Sequence, residues 1–138
     1  MQKHVSIYKS KKGDVVDEAL EVIINRLNAT IPFIRMGDGK YLIGTESKMV
    51  SLRNSCCMVR IGGGWERIEE YIAKHQDQEI ERLKKLMADQ QKTYEQVIID
   101  LLVKYNAEEA AIKQVTKTYR LVISNQLRKH TQRKEQQP

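Results

Sequence analysis

The stretch Cys56-Cys57-Met58-Val59-Arg60-Ile61-Gly62-Gly63-Gly64-Trp65-Glu66-Arg67-Ile68 decides how this chain is read. An apolar run ends in three glycines, and the only tryptophan of the chain follows. From Trp65 the apolar residues Ile68 and Ile72 start a helical period. The spacing predicts a strand, a backbone turn and a helix start. Three consecutive glycines lose more conformational freedom on folding than other residues. They are therefore expected to form a tight packing turn that sets Trp65 and its helix against the apolar face of Val59 and Ile61.

Upstream of this junction, Lys48–Arg53 and Cys56–Ile61 flank Asn54-Ser55 and read as a hairpin. Pairing Arg53 with Cys56 puts Val50, Leu52, Cys57, Val59 and Ile61 on one wholly apolar face. Met49, Ser51, Arg53, Cys56, Met58 and Arg60 fall on the other. A slip of one residue would mix the sets, so the pattern specifies its register. Arg53 and Arg60 become candidates for an exposed basic surface. A first hairpin is expected around Asp38-Gly39, pairing Met36 with Tyr41 and Ile34 with Ile43, with Lys40 beside the turn. Before it, Val15, Val16, Ala19, Leu20, Ile23, Ile24 and Leu27 recur at helical spacing. Asp14 can cap this helix, and Asn28 and Pro32 mark its end. Residues 1–12 carry Lys3, Lys9, Lys11 and Lys12 and no acidic residue, and read as a basic arm in which Ile7 and Tyr8 are the groups able to dock.

Downstream, residues 65–105 hold no Gly or Pro and predict a long helical stretch, with a break placed near 74–78 where the apolar stripe thins. Asn106-Ala107-Glu108-Glu109 reads as the cap of a last helix reaching Leu127, so the two segments form a helical hairpin. Residues 130–138 read as a polar, basic tail.

The chain has 138 residues and a net charge of +6, with the basic excess at both ends and in the middle. Such a balance suits an acidic partner. Adjacent strand residues point to opposite faces, so Cys56 and Cys57 are not expected to bond to each other. They also lack the spacing of a zinc knuckle, and His4, His75 and His130 lie far apart. The glycines fit neither the dinucleotide fingerprint nor the P-loop, and Glu66, Glu69 and Glu70 would repel an anion there. No Ser/His/Asp set has a suggestive context. No enzyme activity, cofactor or metal is expected. No signal peptide is visible and no apolar run approaches the roughly 20 residues that span a bilayer, so a reducing intracellular compartment and no membrane partner are expected. Nucleic acid is disfavoured as a partner because the sheet lacks exposed aromatics to stack bases.

The strings Gly37-Asp38-Gly39-Lys40-Tyr41-Leu42-Ile43-Gly44, Val50-Ser51-Leu52-Arg53, Met58-Val59-Arg60-Ile61-Gly62-Gly63-Gly64-Trp65 and Tyr71-Ile72-Ala73-Lys74-His75 resemble the GAR domain, the growth-arrest-specific-protein-two-related domain of spectraplakins and their relatives. The resemblance covers about residues 15–77. It implies a small α+β module that binds microtubules. Family members commonly carry cysteines that look like zinc ligands before the first strand and after the helix. Here those regions read Leu27-Asn28-Ala29-Thr30-Ile31-Pro32 and Lys74-His75-Gln76-Asp77-Gln78-Glu79, so the resemblance brings no zinc with it. Relatives often carry an upstream actin-binding domain, for which these 138 residues leave no room, and actin–microtubule crosslinking by this chain alone is not expected.

The reading is an α+β fold: a small antiparallel sheet of two hairpins flanked by helices, followed by an α-helical hairpin. The divisions are a basic arm (1–12), a GAR-like domain (13–77), a helical hairpin extension (78–129) and a basic tail (130–138). The expected role is a non-enzymatic microtubule-binding protein of the cytoplasm and cytoskeleton, as a fixed component of a stable array such as a ciliary axoneme. The candidate contacts to tubulin are Arg53, Arg60, Lys40, Lys3, Lys9, Lys11 and Lys12, with Gly62, Gly63, Gly64 and Trp65 as the structural motif. The C-terminal helices would offer an apolar stripe to a coiled-coil or other cytoskeletal partner. The alternative is a scaffold subunit that docks coiled coils without touching tubulin; a nucleic-acid binder rests on charge alone.

Overall fold

The computed structural model describes residues 8–117. Lys3, the tail and the end of the last helix lie outside the described residues. The order is α1 (Val15–Leu27), β1 (Phe33–Gly37), β2 (Lys40–Ile43), β3 (Glu46–Arg53), β4 (Cys56–Ile61), β5 (Gly64–Arg67), α2 (Ile68–Gln90) and α3 (Tyr94–Lys104). A further helix occupies 109–117. The strands form one five-stranded antiparallel meander in chain order. The architecture is α+β, as the sequence predicts.

Helix α1 begins where Asp14 accepts a hydrogen bond from the Asp17 N–H and ends at Asn28 in the left-handed conformation. The β3–β4 hairpin has the predicted register, with Arg53 opposite Cys56 and Val50 opposite Val59. Asn54 and Ser55 both take positive φ (52° and 63°), the tight turn whose twist matches the strands.

Four expectations are corrected. The β1–β2 turn does close at Gly37 and Lys40, but beyond it Arg35 faces Tyr41 and Ile34 faces Leu42. A bulge between Arg35 and Gly37 shifts the register by one residue. The reason lies in the remainder of the fold, because the Met36 carbonyl accepts the Glu108 N–H at 2.8 Å. Next, Gly62-Gly63 is a hairpin turn and not a strand-to-helix junction. Residues Gly64–Arg67 return as β5 with Trp65 opposite Arg60, and α2 starts only at Ile68. Trp65 therefore lies on the face opposite Val59 and does not pack against it. Third, residues 74–78 are unbroken helix, and the break falls at Gln91. Gln91 is left-handed, and Thr93 and Gln96 form a reciprocal capping box that opens α3. Finally, Asn106, with φ 59°, follows the C-terminus of α3 and does not cap the next helix. The Glu108 carbonyl instead accepts the Ile112 N–H.

Two apolar clusters lie on opposite faces of the sheet. The first joins Leu20 and Ile24 of α1 to Phe33, Tyr41, Ile43, Val50, Cys57 and Val59, closed by Ile68, Tyr71 and Ile72 of α2. The second joins Met36 and Leu42 to Leu83, Val97, Ile98, Leu101 and Leu102. Helix α2 thus begins on one face, passes the β2–β3 turn and ends on the other. It crosses residue 77 without interruption. Both faces of β1–β2 are buried, while among the described residues β3–β5 keep one face uncovered. Among the described residues no helix is long and apolar enough to cross a membrane.

Candidate functional site

Alternation along three strands builds the uncovered face. Ser51, Arg53, Cys56, Met58, Arg60, Trp65 and Arg67 share it, since Arg60 stands opposite Trp65 and Met58 opposite Arg67. Arg53 and Arg60 are exposed and Trp65 is half-buried. The Arg53 guanidinium carbon lies 4.1 Å from the Trp65 ring centroid and that of Arg60 5.3 Å away. The indole is thus partly roofed by two cations, each contact contributing about 0.5–1 kcal/mol at an exposed site. The Arg67 Nη2 lies 3.3 Å from the Cys56 sulfur, an interaction that raises the pKa of the guanidinium further.

No carboxylate alternates onto this face. Glu66 points the other way and is buried opposite Val59, where the Lys74 ammonium stands 2.6 Å from its Oε1. The ion pair partners that carboxylate although the approach lacks good hydrogen-bond geometry. Glu46 pairs with Lys48 and Arg82 on the covered side. The face therefore presents three guanidiniums, Met49 at 62% exposure and an indole. Guanidiniums match carboxylates in a two-pronged geometry that lysine cannot reproduce. What the arrangement can do chemically is hold an acidic protein surface.

The other sequence candidates do not join it. Lys40 is half-buried, and its ammonium donates to the Tyr105 carbonyl at the end of α3. Lys9, Lys11 and Lys12 are exposed but belong to an arm docked beside α1 on the opposite face. The arm is held by Tyr8, whose hydroxyl donates to Asp17 and whose ring meets Phe33 edge-on at 5.7 Å. Its backbone exchanges hydrogen bonds with the Asn25 side chain. Asp17 is 1% exposed and also accepts from Tyr41 Oη at 2.9 Å and the Lys11 N–H at 2.6 Å. Burial, and then the hydrogen bond to Asp17, raise the pKa of both tyrosines. Glu18 and Glu21 line a shallow recess with Lys9 and Lys12, so charge there is mixed.

Two features escaped sequence reasoning. Arg67 was hidden because residues 65–67 read as helix; the alternation Trp65-x-Arg67 was the one signal for a strand. Asp17 read as a favourable charge in the first turn of α1, and nothing local marks it as the acceptor for a tyrosine 24 residues away.

The residues Gly62, Gly63 and Gly64 do not pack. A Cβ built on any of the three would meet nothing within 4 Å, and only Gly62 has a positive φ, 27°. Among the described residues no group of three or more His, Cys, Asp or Glu side chains is placed to hold a metal ion.

Comparison with known proteins gives a family match over residues 14–80, to the Growth-Arrest-Specific Protein 2 Domain. The chain is 38% identical over 64 residues to GAS2-like protein 1 of Mus musculus and of Homo sapiens, covering 44% of this chain and 9% of each relative. It is 30% identical over 64 residues to GAS2-like protein 2B of Xenopus laevis, covering 44% of this chain and 7% of that protein. The chain thus spans less than a tenth of the length of these relatives. No solved structure gives a significant match.

Proposed function

We propose, from the GAR domain that residues 14–80 constitute, that this protein is a non-enzymatic microtubule-binding protein whose tubulin contact is the basic face of β3–β5. The observation that carries this reading is the pair Arg53 and Arg60 held over Trp65 on a face onto which no carboxylate of β3–β5 alternates. A guanidinium stacked on an indole has fewer conformations to lose when a carboxylate arrives. Tubulin surfaces and tails are acidic, and like potentials on the two sides of this contact would be costly. The reading includes association with the cytoskeleton and, more finely, a place in a stable array such as a ciliary axoneme, which imaging of the tagged protein in ciliated cells tests.

The test of binding is co-sedimentation with microtubules, with and without the acidic tubulin tails, for the parent and for Arg53→Ala/Arg60→Ala. Pelleting that falls with the double substitution, and falls with rising salt, supports the proposal. Pelleting indifferent to both sinks it.

A further inference from the structure

We infer that the free edge of β5 and the bare glycine tip beside it seat an extended acidic peptide, which joins the sheet as a sixth strand. The inference rests on the basic-face reading above and assigns its ligand. Three observations carry it.

The first is an unexplained cost. Consecutive glycines weaken a folded state by roughly 0.5–1 kcal/mol each relative to alanine where the backbone does not need them. The turn needs Gly62, which alone takes positive φ, as in hairpin turns with glycine at the first central position. Gly63 and Gly64 have ordinary φ and open space where a side chain would stand. Nothing within the described residues requires them. Glycine at the start of an edge strand lets a second backbone come close without meeting a side chain.

The second is the edge itself. β5 is the last strand of the sheet. In a two-residue hairpin the closing pair, Ile61 and Gly64, exchanges hydrogen bonds, and the pairs then alternate. Trp65 and Arg67 fall at the positions that do not bond to β4, so their N–H groups point outward from the sheet. No backbone partner outside the ladder meets either N–H among the described residues. Such outward N–H groups are a template on which an extended chain can add as a further strand.

The third is charge. The guanidiniums of Arg53 and Arg60 both reach over Trp65, and Arg67 is on the same strand and face. A strand laid on β5 would carry its alternate side chains directly beside Trp65 and Arg67, and the Arg53 and Arg60 guanidiniums reach toward it from β3 and β4 over the indole. Carboxylates at those positions are complementary; amines are not.

The experiment uses the full chain, a ten-residue oligoglutamate peptide and two variants, Gly63→Ala and Gly64→Val. Trp65 is the only tryptophan, so its fluorescence reports the site directly. Both variants are expected to unfold at the parent's temperature or above, since each side chain enters open space and valine favours strands. Peptide affinity is expected to drop about tenfold in Gly64→Val, and peptide binding is expected to slow hydrogen exchange of the Trp65 and Arg67 amides in the parent. If Gly64→Val binds the peptide as the parent does and those amides exchange unchanged, the sixth strand is refuted, while pelleting that still depends on Arg53 and Arg60 leaves the basic face standing. If pelleting is indifferent to Arg53→Ala/Arg60→Ala, the basic face falls and this inference falls with it.

Discussion

The Glu79 carboxylate accepts both the backbone N–H of Thr45, at 2.8 Å, and its hydroxyl, at 2.6 Å, across 34 residues of chain. Glu79 is 2% exposed, and its other oxygen receives Arg82 at 2.9 Å. The Thr45 carbonyl in turn accepts the Tyr105 hydroxyl. This one turn therefore holds α2 at its passage between the two faces of the sheet. Gly44 makes the passage feasible, since a Cβ there would stand 2.6–2.8 Å from Glu79 side-chain atoms and φ is +66°. Glu79→Ala leaves the Thr45 N–H buried and unpaired and should cost about 1–3 kcal/mol. Gly44→Ala should cost at least as much through contact and φ together. Urea unfolding checks both.

Arg53→Ala and Arg60→Ala together should weaken microtubule affinity about tenfold at low salt, with little effect at high salt. Their stability cost should stay below about 2 kcal/mol, the two indole contacts. Lys40→Ala should behave oppositely, leaving pelleting unchanged and lowering the melting temperature, because its ammonium is engaged by the Tyr105 carbonyl. Pelleting and thermal unfolding of the same samples separate the two behaviours.

Asp17→Ala removes the acceptor shared by Tyr8, Tyr41 and the Lys11 N–H. It should cost about 3 kcal/mol and release the arm, which limited proteolysis after Lys9, Lys11 and Lys12 would detect. The tyrosine pKa values are raised on folding by burial, so the neutral phenols are favoured in the native state. Their contribution is complete below the unfolded tyrosine value of about 10 and is lost as pH rises above it. Stability should fall in alkaline solution, and less so in Tyr8→Phe.

Asp14 behaves in the opposite direction. Burial raises its pKa, but the Arg35 hydrogen bond and charge and the helix amides outweigh that and lower it. Arg35 also pairs with Asp38 and Glu108, joining α1, the first hairpin and the start of the 109–117 helix. A depressed carboxyl pKa gives stability that is present above the unfolded value of about 4 and is lost as pH falls through the folded one. Asp14→Asn should flatten the loss of stability below about pH 4 in acid titrations followed by circular dichroism.

The two thiols should be told apart by their faces. Cys57 is 2% exposed, and burial pushes its thiol up to about 11. Cys56 is half-exposed beside Arg67. A disulfide reagent at neutral pH should therefore titrate one thiol quickly and the second only on unfolding.

Legibility tracked the range of the forces. The β3–β4 register was readable because Val50, Leu52, Cys57 and Val59 share one buried face and the other is solvated, so period-two alternation leaves one solution. α1 was readable because its caps and stripe are local. The β1–β2 register was not, because both of its faces are buried and alternation is silent there. The basic face was half legible: Arg53 and Arg60 come from the hairpin pattern, whereas Arg67 needed β5.

By itself the sequence determined the helix α1, the α+β class, the second hairpin with its outward arginines, and the resemblance that the family match over residues 14–80 supports. Tertiary structure decided the path of the chain after the glycines. Gly64–Arg67 has too few residues to declare a strand by periodicity, and only hydrogen bonding to β4 makes it one. The same pairing turns Trp65 outward beneath Arg53 and Arg60. The position of Glu79 against Thr45 likewise depends on where α2 passes the sheet, a matter of packing between distant segments that no local pattern encodes.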